Sequence, residues 1–375
     1  MTFISLVETL EKGKAPEDIF GMKVSETILQ EKYREMAMLV HPDKVAPADK
    51  DRATKAFQAL SEFLARAEKK LAAGTYGDYT VLEKEIVVST KKKTYTLERR
   101  ITQTKIATFY TGHDEKGNPI TLKTVRTPKD NDLIENEARV LKKMHNDVLT
   151  KDNVNTLQLV PKVTDTFTNL SGKVNQSVIV FQGITKVGYS LPVLREKFPK
   201  GIPLEHAAWM FNRLTGALEN PHLLGIAHAG LIPENIVFYP SDHGATIYNW
   251  DFATEEGTKV KGALGSPLDR VYYAPEVQNK EPVTLSADLY SLAKIFLYMV
   301  GGSVNANKFP DWQSLDPAFW QADKLKAVKK IEGIIRACLL GKAARTQSVA
   351  SVYVDFREAL VPIFGPPKWR DFIVP

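Results

Sequence analysis

The stretch His228-Ala229-Gly230-Leu231-Ile232-Pro233-Glu234-Asn235-Ile236 decides how the larger part of this chain is interpreted. It is one of several short motifs that stand in a definite order. Any one of them could occur by chance, but the whole series over more than 200 residues indicates one fold. The other members are Lys123, Glu137, Asp251-Phe252-Ala253, Ala274-Pro275-Glu276, Asp288-Leu289-Tyr290-Ser291-Leu292 and Arg345.

The sequence between these motifs changes from strand-like to helical. Residues 79–125 are rich in β-branched and aromatic residues and carry a turn signal at Gly117-Asn118-Pro119, which is typical of antiparallel strands. Residues 132–144 form a helical pattern, and residues 177–181 form an apolar strand-like run. From Pro203 onward the patterns are mostly helical. These patterns predict a small strand-rich lobe followed by a larger helical lobe.

Lobe order and motif order together resemble a protein kinase over roughly residues 80–365. The resemblance implies that Lys123 contacts nucleotide phosphates and that Glu137 is its partner on a helix. It also implies that Asn235 and Asp251 supply oxygen ligands to Mg²⁺. ATP with Mg²⁺ is therefore permitted as a ligand, although the sequence makes no cofactor certain. The resemblance further implies four landmarks of the fold, namely His228, Glu276, Asp288 and Arg345, with Arg345 paired to Glu276.

A purely structural role for the four nucleotide-site residues remains open. Lys123 and Glu137 could form an ion pair that only stabilises the fold. Asp251 could be a loop carboxylate satisfied by backbone N–H groups, and Asn235 could brace its own loop. Their spacing in the sequence fits either role.

Several residues depart from the kinase pattern at the positions that carry the chemistry. Gly230 stands where a kinase has the aspartate that orients the attacking hydroxyl, and Ile232 and Ala229 replace a lysine and an arginine of the same loop. Ala253 replaces a glycine, and no glycine-rich loop occurs between Gly77 and Gly112. These departures predict that the chain is not an enzyme but a pseudokinase.

A second informative motif, His41-Pro42-Asp43, lies between two helical patterns near the start of the chain. Ser25 is the predicted N-cap of the first helix, Pro42 ends it, and Gly74 and Gly77 end the second. Apolar side chains recur at steps of three and four in both, so the two helices are expected to pack as a hairpin with the tripeptide exposed at its tip. The predicted stripes are Leu29, Tyr33, Met36, Ala37 and Val40, and then Ala53, Phe57, Leu60, Leu64, Ala67 and Leu71.

This arrangement resembles a J domain, the module of DnaJ-type co-chaperones that docks on Hsp70 chaperones. The resemblance implies that the tripeptide promotes ATP hydrolysis by Hsp70 and that nearby basic residues assist docking. The docking residues it implies are His41, Pro42, Asp43, Lys32, Arg34 and Lys44. Two plainer readings stay open: Pro42 could simply end a helix while Asp43 starts a turn, and the charges could form a solvated helix face.

Composition is that of an ordered globular protein, with 43% hydrophobic and 25% charged residues. The net charge of +6 is mild, and the densest basic run, Lys91-Lys92-Lys93 with Arg99-Arg100, is interpreted as a guarded strand edge rather than a nucleic-acid site. Cys338 is the only cysteine, which excludes an internal disulfide, and no signal peptide or membrane-spanning stretch is evident. A cytoplasmic protein without membrane or nucleic-acid partners is expected.

The predicted fold class is multidomain, α and α+β. The domains are a helical J domain at 1–77, a kinase-like small lobe at 78–185 and a large lobe at 186–375. The favoured function is a co-chaperone or adaptor that docks on an Hsp70 and binds an unknown client or regulatory protein through its kinase-like part. Two alternatives are a kinase-fold enzyme with atypical ATP-dependent phosphoryl or nucleotidyl transfer, and an inhibitory decoy of Hsp70 or of a kinase pathway.

Overall fold

The structure, a computed structural model, describes the chain except residues 1, 14, 22–25, 73–75, 77–80, 148, 151–152, 170–174, 185 and 263–266. The predicted cap Ser25 and the predicted helix terminators Gly74 and Gly77 lie outside the described residues. Contacts divide the chain into two compact units. The first comprises residues 1–89 and 94–102, and the second comprises residues 90–93 and 103–375.

The first unit begins with four helices that share one apolar core. Thr2 caps the first of them, where its hydroxyl accepts a hydrogen bond from the N–H of Ser5. Leu29 and Val40 from the first predicted stripe, and Leu60 and Ala67 from the second, are buried in this core. The helices are α1 (Phe3–Lys12), α2 (Pro16–Phe20), α3 (Glu26–Val40) and α4 (Lys50–Ala72).

Two single-turn 3-10 helices, Pro42–Lys44 and Pro47–Asp49, connect α3 to α4. Each has proline in its first turn, where the missing N–H would have no helical partner. The predicted tripeptide therefore lies at the tip of a helical hairpin whose two arms pack against each other.

Two strands of a β-hairpin complete the first unit, and contacts assign the turn between them, residues 90–93, to the second. Strands β1 (Val81–Ser89) and β2 (Thr94–Gln103) pair antiparallel, with Val88 opposite Tyr95 and Ser89 opposite Thr94. Contacts group these strands with the preceding helices, whereas the sequence assigns everything after residue 77 to the small lobe. The predicted domain boundaries remain predictions.

In the second unit, four antiparallel strands follow one another across the sheet in the order β3, β4, β6, β5. Lys123 on β4 lies opposite Phe109 on β3 and Ile179 on β6, so the middle of β4 has a neighbour on both sides. The elements are β3 (Ala107–Asp114), β4 (Pro119–Val125), α5 (Asn131–Asn146), α6 (Val154–Leu157), β5 (Val163–Asn169) and β6 (Gln176–Gln182).

The remainder of the second unit is mostly helical and has short strands near its loops. Helices α8, α11, α13 and α14 supply much of its core, including Phe211, Phe296 and Phe356, whose rings contact one another. The elements are β7 (Tyr189–Ser190), α7 (Leu191–Lys197), α8 (Leu204–Leu223), β8 (Ile226–Ala227), β9 (Ile236–Tyr239), β10 (Gly244–Ile247), β11 (Thr254–Glu255), α9 (Pro267–Arg270), α10 (Pro275–Gln278), α11 (Ser286–Met299), α12 (Trp312–Leu315), α13 (Ala322–Cys338) and α14 (Val349–Phe364).

The predicted strand-rich small lobe and helical large lobe are thus present. Within the described part of the chain, no helix combines the length and the apolar character that crossing a membrane requires.

Candidate functional site

A buried polar cluster surrounds the amine of Lys123. Its Nζ donates hydrogen bonds to Oε2 of Glu137 at 2.5 Å, to Oδ1 of Asn249 at 3.0 Å and to the carboxylate of Asp251. It also lies 5.1 Å from the ring centre of Phe109. Lys123 and Glu137 are almost fully buried and Asp251 nearly so. The structure thus brings together three residues that stand up to 128 positions apart in the sequence.

The cluster contains one cation and two acids, and this imbalance sets its protonation. Burial raises the pKa of Glu137 to about 8; Lys123 opposes the shift, and the charge of Asp251 adds to it. Burial by itself would lower the pKa of Lys123, but attraction to Asp251 and Glu137 outweighs it and raises that pKa. The shifts therefore favour the charged form of Lys123 and extend the protonated form of Glu137 to higher pH than an exposed glutamate would allow.

Asn249 links this cluster to the loop that contains Asn235. While Oδ1 of Asn249 accepts from Lys123, its Nδ2 donates to Oδ1 of Asn235 at 2.8 Å. Asn249 has a φ of 60°, a left-handed conformation that asparagine tolerates better than most residues. Asn235 in turn donates from Nδ2 to the carbonyl of Gly230 at 2.9 Å. No signal in the sequence marked Asn249 as part of the site.

Helix α5 also holds the segment that follows Asp251. The Asn136 amide donates to the carbonyl of Asp251 at 3.3 Å and to that of Ala253 at 2.8 Å. From the next residue of the same helix, Oε1 of Glu137 accepts a hydrogen bond from the N–H of Trp250 at 3.2 Å. Two consecutive helical residues thus fix the backbone on both sides of Asp251. Sequence reasoning missed Asn136, because an amide that bonds carbonyls more than 100 residues away has no local signature.

The loop at residues 228–236 is held in place by helix α11. Asp288, fully buried, accepts hydrogen bonds from the N–H groups of His228 at 2.8 Å and Ala229 at 2.9 Å, and it contacts Nε2 of His222 at 3.0 Å. Burial alone would raise the pKa of Asp288, but its bonds with His222 and the loop lower it. Ala229 has a φ of 57°, so the loop backbone passes through a left-handed position there.

His228 is buried behind this loop. Its Nδ1 accepts from the N–H of Gly230 at 3.2 Å and its Nε2 lies 3.1 Å from the carbonyl of Tyr248, so Nε2 carries the proton. Burial lowers the pKa of this imidazole, which favours the neutral form. The indole of Trp250 contacts the ring at a centroid distance of 4.4 Å. His228 therefore orients the loop by packing and hydrogen bonds.

Gly230 occupies a position without room for a side chain. A methyl group added to its Cα would lie 2.8 Å from Cδ2 of Phe252, well inside ordinary carbon–carbon contact. Phe252 thus fills the space toward which a side chain at position 230 would project.

Glu276 and Arg345 form a bidentate ion pair in the large lobe. Nη1 of Arg345 lies 2.5 Å from Oε1 of Glu276 and Nη2 lies 3.1 Å from Oε2, with both side chains buried. This contact joins α10 to the loop between α13 and α14. Breaking a buried pair of this kind leaves an uncompensated charge, so it stabilises the observed arrangement.

The chemistry of the donor set suits Mg²⁺ held jointly by the protein and nucleotide phosphates. Asp251 and Asn235 offer the carboxylate and amide oxygens that this ion prefers, and the two acids of the cluster outnumber its one cation. Among the described residues no group of three or more His, Cys, Asp or Glu side chains could hold a metal alone. Phosphate oxygens and water would have to complete the coordination.

Among the predicted docking residues of the first unit, Lys32 and Arg34 lie within α3, and the others lie at the hairpin tip. His41 and Asp43 have 43% and 81% of their side chains exposed, and the ring of His41 contacts that of Phe57 edge-on at 5.6 Å. Nδ1 of His41 accepts from the N–H of Asp43 at 3.2 Å, which leaves Nε2 as the donor. Arg34 and Lys44 are exposed.

Lys32 differs from the other predicted docking residues. Its Nζ donates to the carbonyl of Phe20 at 2.6 Å and so satisfies the C-terminal end of α2. The structure therefore gives this lysine a structural contact that the sequence did not suggest, and docking through Lys32 stays a prediction.

Comparisons with known proteins match the second unit and the end of the first. The family described as "Protein kinase domain" matches residues 95–334, which is more than half of the chain. A crystal structure of a kinase domain superposes with a TM-score of 0.52 over 73% of this chain and 97% of its own, at 13% identity. At that identity the likeness concerns the fold alone.

Curated relatives share shorter segments. Serine/threonine-protein kinase grp of Drosophila melanogaster is 33% identical over 133 residues, which is 32% of this chain and 25% of that protein. MAP kinase-activated protein kinase 2 of the same organism is 25% identical over 150 residues, which is 40% of this chain and 42% of that protein. Human serine/threonine-protein kinase H1 is 33% identical over 89 residues, which is 22% of this chain and 20% of that protein. The chain spans less than half the length of these relatives.

These findings correct one expectation and leave another untested. The prediction that the chain is not an enzyme is contradicted, because the relatives that match this domain are named as protein kinases. The comparisons show no J domain, so Hsp70 docking remains a prediction. The kinase resemblance is confirmed at the level of the fold and the family. The chain belongs to the protein kinase domain family.

Proposed function

We propose that the second unit is an ATP-dependent transferase that binds ATP with Mg²⁺ and transfers a phosphoryl or a nucleotidyl group. The observation that carries this proposal is the buried cluster of Lys123, Glu137 and Asp251, which Asn249 connects to Asn235. The names of the relatives that match this domain support an enzymatic role.

Each residue of the cluster has a separate task in this proposal. Lys123 offers a point charge to nucleotide phosphates, and Glu137 keeps its amine in place. Asp251 and Asn235 would hold Mg²⁺, which when bound neutralises charge on the phosphates. Asn136 and Asn249 keep Asp251 and Asn235 in register with Lys123.

Gly230 lowers the rate that is expected of such an enzyme. It offers no carboxylate to orient an attacking hydroxyl. Phosphoryl transfer passes through a loose transition state in most analyses, so positioning and charge stabilisation account for most of the catalysis. Transfer that relies on the cluster alone, with the hydroxyl proton passing to solvent, is expected to be slow but dependent on Lys123 and Asp251.

The test uses two labels on the same nucleotide. The purified chain is incubated with Mg²⁺ and either γ-³²P-ATP or α-³²P-ATP, together with a mixture of acceptor proteins. Incorporation of the γ label alone indicates phosphoryl transfer, and incorporation of the α label indicates nucleotidyl transfer. The variant Asp251→Ala should abolish incorporation, whereas the exposed acid change Asp323→Ala, in the first turn of α13, should not. Equal labelling by wild type and Asp251→Ala would overturn the proposal.

We propose a second function, Hsp70 docking, for the helical part of the first unit. The supporting observation is the His41-Pro42-Asp43 turn at the tip of the α3–α4 hairpin, in which the aspartate is exposed and the histidine partly so. A tip of this kind offers a donor and a carboxylate to a partner without any change of fold. An unknown client or regulatory protein bound to the second unit would then be held close to the Hsp70 at high effective concentration.

Single-turnover ATP hydrolysis by an Hsp70 tests this second function. Wild-type chain should accelerate hydrolysis, and His41→Gln should abolish the acceleration. Glu26→Gln, an exposed change at the opposite end of α3, is the matched control and should act as wild type. Slower hydrolysis with wild type would identify an inhibitory decoy instead, and no effect of either protein would refute docking.

A further inference from the structure

The β1–β2 hairpin carries a concentration of positive charge. Residues 81–103 contain six Lys and Arg against three Glu, a net charge of +3 compared with +6 for the whole sequence. Lys91, Lys92 and Arg100 are exposed. A positive potential of this kind attracts acidic partners and raises their rate of encounter.

Strand β1 is also exposed on both faces. Successive side chains of a strand point to opposite faces, and the three consecutive residues Glu85, Ile86 and Val87 are all exposed. Val87 has 60% of its surface accessible and Ile86 has 41%. Both faces of this part of β1 are therefore accessible to a partner that approaches beside the basic turn.

The register of the hairpin shows which backbone groups face outward. The N–H of Thr90 donates to the carbonyl of Lys93 at 2.8 Å, which makes this a hydrogen-bonded pair next to the turn. Hydrogen-bonded and non-hydrogen-bonded pairs alternate along an antiparallel ladder. Val88, opposite Tyr95, is therefore a bonded residue, and Val87, opposite Thr96, is not. The N–H and carbonyl of Val87 point away from β2.

This outward edge has no partner strand among the described elements. Within the described sheet, β1 stands at the end of the strand order and pairs with β2. Protein edges are usually protected by an inward charge, a proline or a bulge within the strand. From Ile86 to Ser89 the edge has none of these, because the register shift lies between Val81 and Ile86 and the lysines lie in the turn.

We propose that this edge binds an extended acidic segment of a partner protein, which adds as a strand beside β1. The backbone of the segment would pair with Val87 and Ser89, and its acidic side chains would lie near Lys91 and Lys92. A single-stranded nucleic acid fits less well, because the hairpin offers no exposed aromatic ring for base stacking: its one aromatic residue, Tyr95, is 1% exposed.

The test measures binding of a fluorescent peptide with alternating glutamate and β-branched residues to the full chain by anisotropy. The comparison peptide has the same charge but carries proline at every third position, which prevents strand pairing. The acidic extended peptide should bind and the proline peptide should bind at least tenfold more weakly. Equal binding of both would overturn strand addition, and tighter binding of a thymidine oligonucleotide would overturn the choice of partner.

Two variants distinguish the contribution of backbone pairing at the β1 edge from the contribution of the positive charge. Val87→Pro removes one outward N–H but no bond to β2, so it should weaken peptide binding at least tenfold while the fold remains. Lys91→Glu combined with Lys92→Glu should weaken binding and reduce its dependence on salt. If Val87→Pro fails to fold, the double lysine variant still tests the proposal. Unchanged peptide affinity in that variant would refute it.

Discussion

Replacement of Lys123 by methionine should destabilise the second unit strongly. Methionine has a similar length but no charge, so Lys123→Met leaves Glu137 and Asp251 as neighbouring buried acids without a cation. Removing one partner of a buried ion pair typically costs about 3–5 kcal/mol. The amine also loses its bond to Asn249 at 3.0 Å, which places the expected cost in the upper part of that range.

The cost of Lys123→Met should depend on pH in a defined direction. In the wild type the pKa of Glu137 is raised from 4.5 to about 8, so between these values the folded chain binds more protons than the unfolded chain. Stability should therefore fall as pH rises through that window. Without the lysine the pKa of Glu137 rises further, and the difference between variant and wild type should widen above pH 8. Glu137→Gln removes this titration and should flatten the profile.

Urea unfolding followed by tryptophan fluorescence measures this effect in the second unit alone. All five tryptophans of the chain lie between residues 209 and 369, so the signal does not report on the first unit. The double variant Lys123→Met with Glu137→Gln should recover part of the lost free energy. A Lys123→Met variant within about 1 kcal/mol of wild type at pH 8 would refute the charge argument, since that is the size of an exposed pair.

Three further outcomes are expected. Gly230→Ala should cost about 1–3 kcal/mol of unfolding free energy by overpacking, and the additional change Phe252→Leu should recover most of it; a neutral Gly230→Ala would contradict the predicted clash. Arg345→Met should cost about 3–5 kcal/mol and Glu276→Gln should partly restore it, so additive effects in a double-mutant cycle would argue against their coupling. Asn136→Ala should expose the backbone on either side of the aspartate to faster hydrogen exchange, and unchanged protection there would show that the two amide bonds are dispensable.

Local periodicity was sufficient for the central helical hairpin but not for the helices before it. Steps of three and four placed Leu29, Val40 and Leu60 correctly in one core. Helices α1 and α2 gave a weaker signal, because α2 has only five residues and begins at Pro16. Glu17 of this helix also forms a buried ion pair with Lys70 at 2.8 Å, a contact across 53 residues that periodicity cannot reveal.

The site was predictable where a motif marked it. Lys123, Glu137 and Asp251 could be named from the sequence because each stands in a recognisable motif, and the structure brings their side chains together. Asn136 and Asn249 could not be named from the sequence, because their amides bond groups that are distant along the chain. Nothing in the local sequence distinguishes them from any other polar residue. Motif reasoning also concluded from Gly230 that the chain is not an enzyme. The comparisons with kinases contradict that conclusion.

Asp288 gives the loop at 228–236 a particular tolerance of change. Its carboxylate accepts hydrogen bonds from two main-chain N–H groups, and these bonds involve no side chain of the loop. Ile232, which is only partly buried, could therefore be exchanged to alter what the loop presents to a bound molecule, whereas Ala229 is buried in a left-handed conformation. Replacing Asp288 itself would remove both main-chain bonds at once.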